Sequence, residues 1–212
     1  MLKFVPFPLL FGLILLVILL FLLRRGGSRF SYLFLFSLFW LYLLGVVAAT
    51  LFPMPLPFLA GGQVDRSSAG YILSQINLAP FDYSQFRYES PRYIFAREIL
   101  ANILLTLPFG FGISFVASVR RKDILWLAPA VGIGIESCQL IAGLILGVNY
   151  REVDINDAIM NALGVLAGYG LFMLFARYLV ERAPWHRIRP RELGVYLYLV
   201  ARRARLTHPA DR

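Results

Sequence analysis

The stretch from Arg97 to Gly168 decides the fold and reads REILANILLTLPFGFGISFVASVRRKDILWLAPAVGIGIESCQLIAGLILGVNYREVDINDAIMNALGVLAG. It contains three apolar segments, each long enough to cross the roughly 30 Å hydrocarbon core of a bilayer. The segments also carry polar side chains that a lipid-facing helix would not tolerate: Arg97, Glu98, Asn102, Glu136, Gln139, Asp154, Asp157 and Asn161. Because ionisable groups inside a membrane are costly, they mark a candidate functional site.

The composition is typical of a membrane protein. The chain has 212 residues, of which 59% are hydrophobic and 16% are charged, and its mean hydropathy is +0.69. A water-soluble domain of this length could not bury so much apolar surface. The single cysteine, Cys138, cannot form an internal disulfide, and its apolar neighbours predict a small buried residue.

Hydropathy predicts an all-α bundle of five transmembrane helices. The predicted spans are Phe4–Leu23, Phe30–Phe52, Arg97–Val119, Ile124–Leu146 and Asp154–Val180. The arginines near the first span follow its apolar run, so we interpret it as a retained span rather than a cleaved signal. The spans divide the chain into two N-terminal helices (1–52), an extracytoplasmic loop (53–96), a core of three helices (97–180) and a basic cytoplasmic tail (181–212).

Positive charge is concentrated on one side of the predicted spans. Three Lys or Arg residues lie in 24–29, three in 120–122 and nine from Arg177 onward, and the other side holds Lys3, Arg66, Arg87, Arg92, Arg97 and Arg151. This predicts an outer N-terminus and an inner C-terminus. Within the basic tail, Val195–Ala201 is too short to span, and we expect it to lie on anionic membrane lipids rather than to bind nucleic acid.

Spacing along each span places polar side chains on common faces. Glu98 and Asn102, Glu136 and Gln139, and Asp154, Asp157 and Asn161 are separated by three or four residues, so each set shares one helical face. We expect these faces to converge on a polar pocket that opens to the outer side. Gly164 and Gly168 form a small-xxx-small pair for close helix packing, and Pro108 predicts a kink in the third span.

Four motifs resemble the VanZ-like family of membrane proteins. They are INLAPF (76–81), NILLTLPFG (102–110), ESCQ (136–139) and REVDINDAIMNALG (151–164), in the family's order. The resemblance implies a shared polar set, consisting of Asn102, Glu136, Gln139, Arg151, Asp154, Asp157 and Asn161. It also implies a link to glycopeptide resistance, since the family's namesake is associated with resistance to teicoplanin.

Two functions remain open from the residues. In the first, an envelope protein binds an envelope lipid or a peptide-bearing ligand, such as a lipid-linked cell-wall precursor or a glycopeptide. Its binding residues are Asn102, Gln139, Arg151, Asp154 and Asn161. In the second, a membrane-embedded enzyme acts on an envelope lipid or peptide, with Glu136 as its general acid or base and Asp157 beside it. A proton-coupled carrier ranks third, because the paired broken helices of such carriers are missing from the sequence.

Each candidate also has a structural alternative. Glu136 is either a general acid or base, or it makes a structural hydrogen bond or ion pair to another helix, for example with Arg97 or Arg151. Asp154 and Asp157 offer, with Glu136, the oxygen ligands of a divalent cation such as Mg²⁺ or Ca²⁺, whereas Asp154 alone would serve as a helix cap. Arg151 and Arg97 either clamp an anion or anchor the chain at the interface. No other cofactor is expected.

Overall fold

The computed structural model describes residues 6–52, 67–82, 89–149, 151–182 and 192–206. Within these ranges the chain is helical and has no β-strand, apart from an isolated parallel bridge between Asn77 and Asp154. Five of the helices are long and apolar enough to cross a membrane. The predicted all-α bundle with five membrane-spanning helices is therefore confirmed.

The helices follow the predicted spans within a few residues, with one exception. They are α1 (Pro6–Arg25), α2 (Phe30–Leu51), α3 (Ala69–Ser74), α4 (Pro91–Ile94), α5 (Ala101–Val116), α6 (Arg121–Leu146), α7 (Ile155–Glu181) and α8 (Glu192–Leu206). A π-helical turn, Phe95–Leu100, joins α4 to α5, so the third span begins at Pro91 rather than at Arg97. Proline suits a helix start because its missing N–H would be unpaired there. This π-helical turn lies upstream of Pro108, and the helix α5 continues through that proline.

The directions of the helices bring the basic segments to one end of the bundle. The Tyr32 hydroxyl donates to the carbonyl of Val116, and the Tyr42 hydroxyl donates to that of Leu105, so α2 runs antiparallel to α5. α7 runs parallel to α5 and antiparallel to α6. The segments 24–29, 120–122 and 177–182 consequently share one end, which we call the basic end. The opposite end, where α2 and α6 finish and α7 begins, is called the cavity end.

Glycines allow α7 to occupy the centre of the bundle. Val165 and Phe172 on α7 are fully buried. A methyl group added at Gly168 would overlap the backbone carbonyl of Leu107, and one added at Gly110 would overlap that of Val165. The α5 and α7 backbones therefore touch, as small residues permit in membrane helices.

The outward faces of the long helices are apolar. Phe11 on α1 is 65% exposed and Trp126 on α6 is 80% exposed, which suits contact with lipid rather than water. Cys138 is also exposed, so the prediction of a buried cysteine is wrong. Cys138 lies two residues after the buried Glu136, about 200° around the helix. Its apolar neighbours in sequence did not reveal this, because hydropathy is the same for a side that faces lipid and a side that faces protein.

Helix α8 packs against the basic end of the bundle. Ala201 is 1% exposed, and the Tyr196 hydroxyl donates to the carbonyl of Phe115 over 2.6 Å. Burial raises the pKa of the Tyr196 hydroxyl, which keeps it protonated as a donor. Arg205 donates to Glu181 on α7 over 2.8 Å. The helix in the tail is therefore longer than Val195–Ala201, and one of its faces packs against the rest of the chain. Its contact with membrane lipids stays a prediction.

Candidate functional site

A polar cavity of about 570 Å³ lies at the cavity end, between α2, α5, α6 and α7. Its size is within the range of small-molecule sites. The structure brings all seven candidate residues into its lining, namely Asn102, Glu136, Gln139, Arg151, Asp154, Asp157 and Asn161. Three helix faces that are far apart in sequence thus meet around one space. The side chain of Arg97 lies outside the described residues.

Glu136 connects α6 to the start of α7. Its side chain is 6% exposed, and its Oε2 accepts a hydrogen bond from the backbone N–H of Asp154 over 3.2 Å. The approach of the two helices depends on Gly132, because a side chain there would overlap the backbone carbonyl of Ala158. Although both side chains are described, the structure records no ion pair between Glu136 and Arg151. Glu136 instead accepts a hydrogen bond from the Asp154 N–H, which the start of α7 would otherwise leave unpaired.

Asp154 caps the N-terminus of α7. Its Oδ1 accepts from the backbone N–H of Asn156 over 2.8 Å, and its Oδ2 accepts from Asn77 Nδ2 over 3.1 Å. An aspartate at this position satisfies an otherwise unpaired N–H and complements the positive end of the helix dipole. Both oxygens of Asp154 are therefore engaged by protein donors, which supports the capping interpretation.

Asp157 and Asn161 face α5 one turn apart. Asn102 Nδ2 donates to Asp157 Oδ1 over 2.7 Å and also to the backbone carbonyl of Glu98 over 2.9 Å. The Thr106 hydroxyl donates to the backbone carbonyl of Asn161 over 2.6 Å. The side chain of Asn161 is 1% exposed, and its Oδ1 has no hydrogen-bond partner within the described part of the chain. A buried amide oxygen of this kind is rare and requires an explanation.

The C-terminal end of α2 forms the fourth wall. Gln139 Nε2 donates to the carbonyl of Thr50 over 3.2 Å, and the Arg151 guanidinium donates to the carbonyl of Ala49 over the same distance. Arg151 thus serves carbonyl groups that the last turn of a helix leaves unpaired. The sequence of α2 does not indicate a place in the site, because that helix resembles an ordinary lipid-facing span and Thr50 is its single polar residue near the cavity.

The segment 76–82 is fastened to the start of α7. The backbone N–H of Asn77 donates to the carbonyl of Val153, and its carbonyl accepts from the N–H of Ile155, over 3.0 and 2.9 Å. The Asn156 side chain completes the contact, since its Oδ1 accepts from the Phe81 N–H and its Nδ2 donates to the Asp82 carbonyl over 3.3 Å. Hydrogen bonds therefore join INLAPF to the motif at 151–164 in this chain.

The family model of VanZ/LLP1 matches residues 39–176, from the middle of α2 to near the end of α7. This chain belongs to the VanZ/LLP1 family. The match confirms the family expected from the motifs, and it extends to α2, which supplies the fourth wall of the cavity. No curated protein and no solved structure matches the chain.

Three further polar residues of this VanZ/LLP1 protein line the cavity and were missed by sequence reasoning. They are Thr50, Asn149 and Glu152. Asn149 and Glu152 flank Arg151 in the connection between α6 and α7, and this proximity was the signal that could have indicated them. Glu98, which was noticed as a polar residue in an apolar segment, lines the cavity as well.

The cavity of this VanZ/LLP1 protein is acidic. Among the described residues of its lining, five carry carboxyl groups and Arg151 alone carries a cationic group; the acids are Glu98, Glu136, Glu152, Asp154 and Asp157. The described residues nevertheless contain no group of three His, Cys, Asp or Glu side chains that could hold a metal ion. The divalent cation therefore stays a prediction.

Proposed function

We propose that this VanZ/LLP1 protein binds a ligand of the cell envelope in the cavity and thereby contributes to resistance against teicoplanin-type glycopeptides. The ligand would be an envelope lipid, a lipid-linked cell-wall precursor or the glycopeptide itself. One observation carries the proposal: Glu136, Asp157 and Asn161, all costly to place in an apolar bundle, surround one cavity of about 570 Å³. The association of the family's namesake with teicoplanin resistance supports the choice of phenotype.

The proposed function requires that the protein lie in the cell membrane with its cavity facing outward. The protein would cross the cell membrane several times, with its cavity end outside and its basic end in the cytoplasm, because cytoplasmic segments carry the excess of Lys and Arg. In a Cys138→Ser background, we expect Gln75→Cys to react with an impermeant maleimide in intact cells. Glu192→Cys on α8 should react only after the membrane is opened. The reverse pattern would contradict an outward-facing cavity.

Neutral variants of the same shape test the proposed function. We expect Glu136→Gln and Asp157→Asn to lower the teicoplanin tolerance of a host that depends on this protein to the level of the empty host. Both changes retain the side-chain volume, so a loss would report on charge and hydrogen bonding rather than on packing. The measurement is the inhibitory concentration at matched membrane expression.

Glu192→Gln is the matched control, because it removes a carboxylate from the exposed surface of α8 at the basic end. It should leave tolerance unchanged. If the Glu136 and Asp157 variants protect as well as the unmodified chain does, the cavity is not the site of this function.

A membrane-embedded enzyme is the second candidate. The observation in its favour is the pair of partly or fully buried carboxyl groups, Glu136 and Asp157, at the edge of a cavity large enough for a reacting group. General acid or base catalysis needs such a group within hydrogen-bond reach of the substrate. This function predicts turnover of an envelope lipid or peptide by the purified protein, with loss of turnover in Glu136→Gln.

A further inference from the structure

We infer that the group which enters the cavity is an ammonium, that is, a protonated amine carried by a lipid headgroup or by a peptide. The inference rests on the proposed binding function and names the chemistry of its ligand. It replaces the expectation that Arg151 clamps an anion. Three sets of contacts lead to it.

The first set concerns the hydrogen-bond donors of the lining. Asn102 Nδ2 donates to Asp157 and to the Glu98 carbonyl, and Gln139 Nε2 donates to the α2 backbone. The recorded bonds of Arg151 also end on α2, at the carbonyls of Ala49 and Phe52. Asn102 Nδ2 therefore has both of its N–H groups engaged within the protein, whereas Gln139 and Arg151, whose two bonds both start at Nη2, keep further N–H groups. An anionic ligand that used these remaining N–H groups would lie beside five carboxyl groups.

The second set concerns the acceptors. Asn161 is 99% buried in the lining, and its side-chain oxygen is unpaired in the part of the chain that the structure describes. Asp157, one turn earlier on the same face, engages one of its oxygens with Asn102. Glu136 engages one of its oxygens with the start of α7. The cavity thus combines acceptor oxygens with five carboxyl groups and one cationic side chain, and an ammonium matches this lining with three N–H groups and one unit charge.

The third set separates an ammonium from a metal ion. A divalent cation requires several oxygen ligands around one point at about 2.0–2.6 Å. The described acidic side chains form no such group of three, since Asp154 is held by Asn77 and the start of α7 while Glu136 and Asp157 approach from different helices. Acceptors spread over several helices suit a group whose N–H bonds diverge.

Acetylation of the amine provides the test, because it removes the charge and two of the donors while leaving the rest of the ligand intact. The full chain, purified in a neutral detergent, would be titrated with short-chain phosphatidylethanolamine and with its N-acetyl form. A second arm would use a lysyl-D-alanyl-D-alanine peptide, blocked at its N-terminus, and its Nε-acetyl form. We expect the amine form to bind at least about tenfold more tightly than the acetylated form in one arm, and that arm identifies the source of the amine.

The variants connect this binding to the cavity. Asp157→Asn and Asn161→Leu should each weaken the binding of the amine by about tenfold or more, whereas Glu192→Gln on α8 should leave the dissociation constant unchanged. A variant that does not elute as a folded species is left out, because the comparison of amine with acetylated ligand needs only the unmodified chain.

Several results would overturn the inference. They are equal binding of both forms, no binding in either arm, or binding of inorganic phosphate or Mg²⁺ in preference to the amines. The proposed function fails differently, since it depends on the resistance of Glu136 and Asp157 variants in cells. Loss of resistance without amine preference would retain the envelope function and reject the ammonium. Amine preference without any effect on resistance would do the opposite.

Discussion

Replacing Gly168 with leucine is expected to destabilise the five-helix bundle strongly and to lower the yield of folded protein. Gly168 lies on α7, where any Cβ atom would overlap the backbone carbonyl of Leu107 on α5. A side chain can rotate away from such a clash, but a backbone carbonyl inside a helix cannot, so the two helices would have to separate. Overpacking in a core that can adjust costs about 1–3 kcal/mol. Because the obstacle here is backbone, we expect a loss at or above the upper end of that range.

The separation would also reach the cavity, because the bond between Asn102 and Asp157 crosses the same helix pair. The measurement is the fraction of protein that elutes as a single species in detergent, followed by thermal unfolding of that fraction. Gly170→Leu is the matched control, since a Cβ atom at Gly170 meets nothing within 4 Å. Equal yield and equal stability of the two variants would show that α5 and α7 do not touch at Gly168.

Replacing Asn156 with leucine is expected to open the end of the segment 76–82 at Phe81 without unfolding the helices. Asn156 is 1% exposed, and its amide serves the backbone of Phe81 and of Asp82. Leucine has a similar volume but no polar atoms, and a buried polar group left without a partner costs about 1–3 kcal/mol. The Phe81 N–H loses its acceptor, whereas the Asp82 carbonyl keeps its bond to Asn77 and Asn77 keeps its bonds to the start of α7, so we expect the contact to open locally at Phe81.

Hydrogen exchange at the Phe81 amide measures this opening directly, because that N–H donates to Asn156. We expect its exchange to accelerate at least about tenfold, while amides in the middle of α7 keep their protection. Gln75→Leu serves as the control, since it removes an exposed side-chain amide from the residue just before this segment. Unchanged protection of Phe81 in Asn156→Leu would mean that other contacts hold the segment.

The spans and the polar set could be predicted from the sequence, because both depend on properties that are local along the chain. The length of an apolar run determines whether a helix can cross a membrane, and this was sufficient for all five spans. The spacing of Asp157 and Asn161 placed them on one face of α7, and the structure has both of them in the cavity lining. The motifs were also local, and they identified the family that the match over residues 39–176 confirms.

Contacts between distant segments could not be predicted in this way. Thr50 lies 89 residues before its partner Gln139, and nothing in the periodicity of α2 indicates that its last turn borders a polar cavity. Asn77 and Asp154 are 77 residues apart, and Asn156 holds a loop whose own sequence has no helical or strand period. Sequence alone therefore could not choose between capping and ligand binding for Asp154, because the choice depends on which donors surround it.

The sequence by itself determined that this is a membrane protein with five apolar helices and a recurrent set of polar groups on three of them. Only the tertiary structure decided that those groups share a cavity, that α2 completes it, and that Cys138 faces outward. The physical reason is that hydrophobic length and helical spacing are properties of one segment. Which side of a helix meets protein, lipid or a cavity depends on the packing of glycines such as Gly132 and Gly168 against a neighbouring backbone.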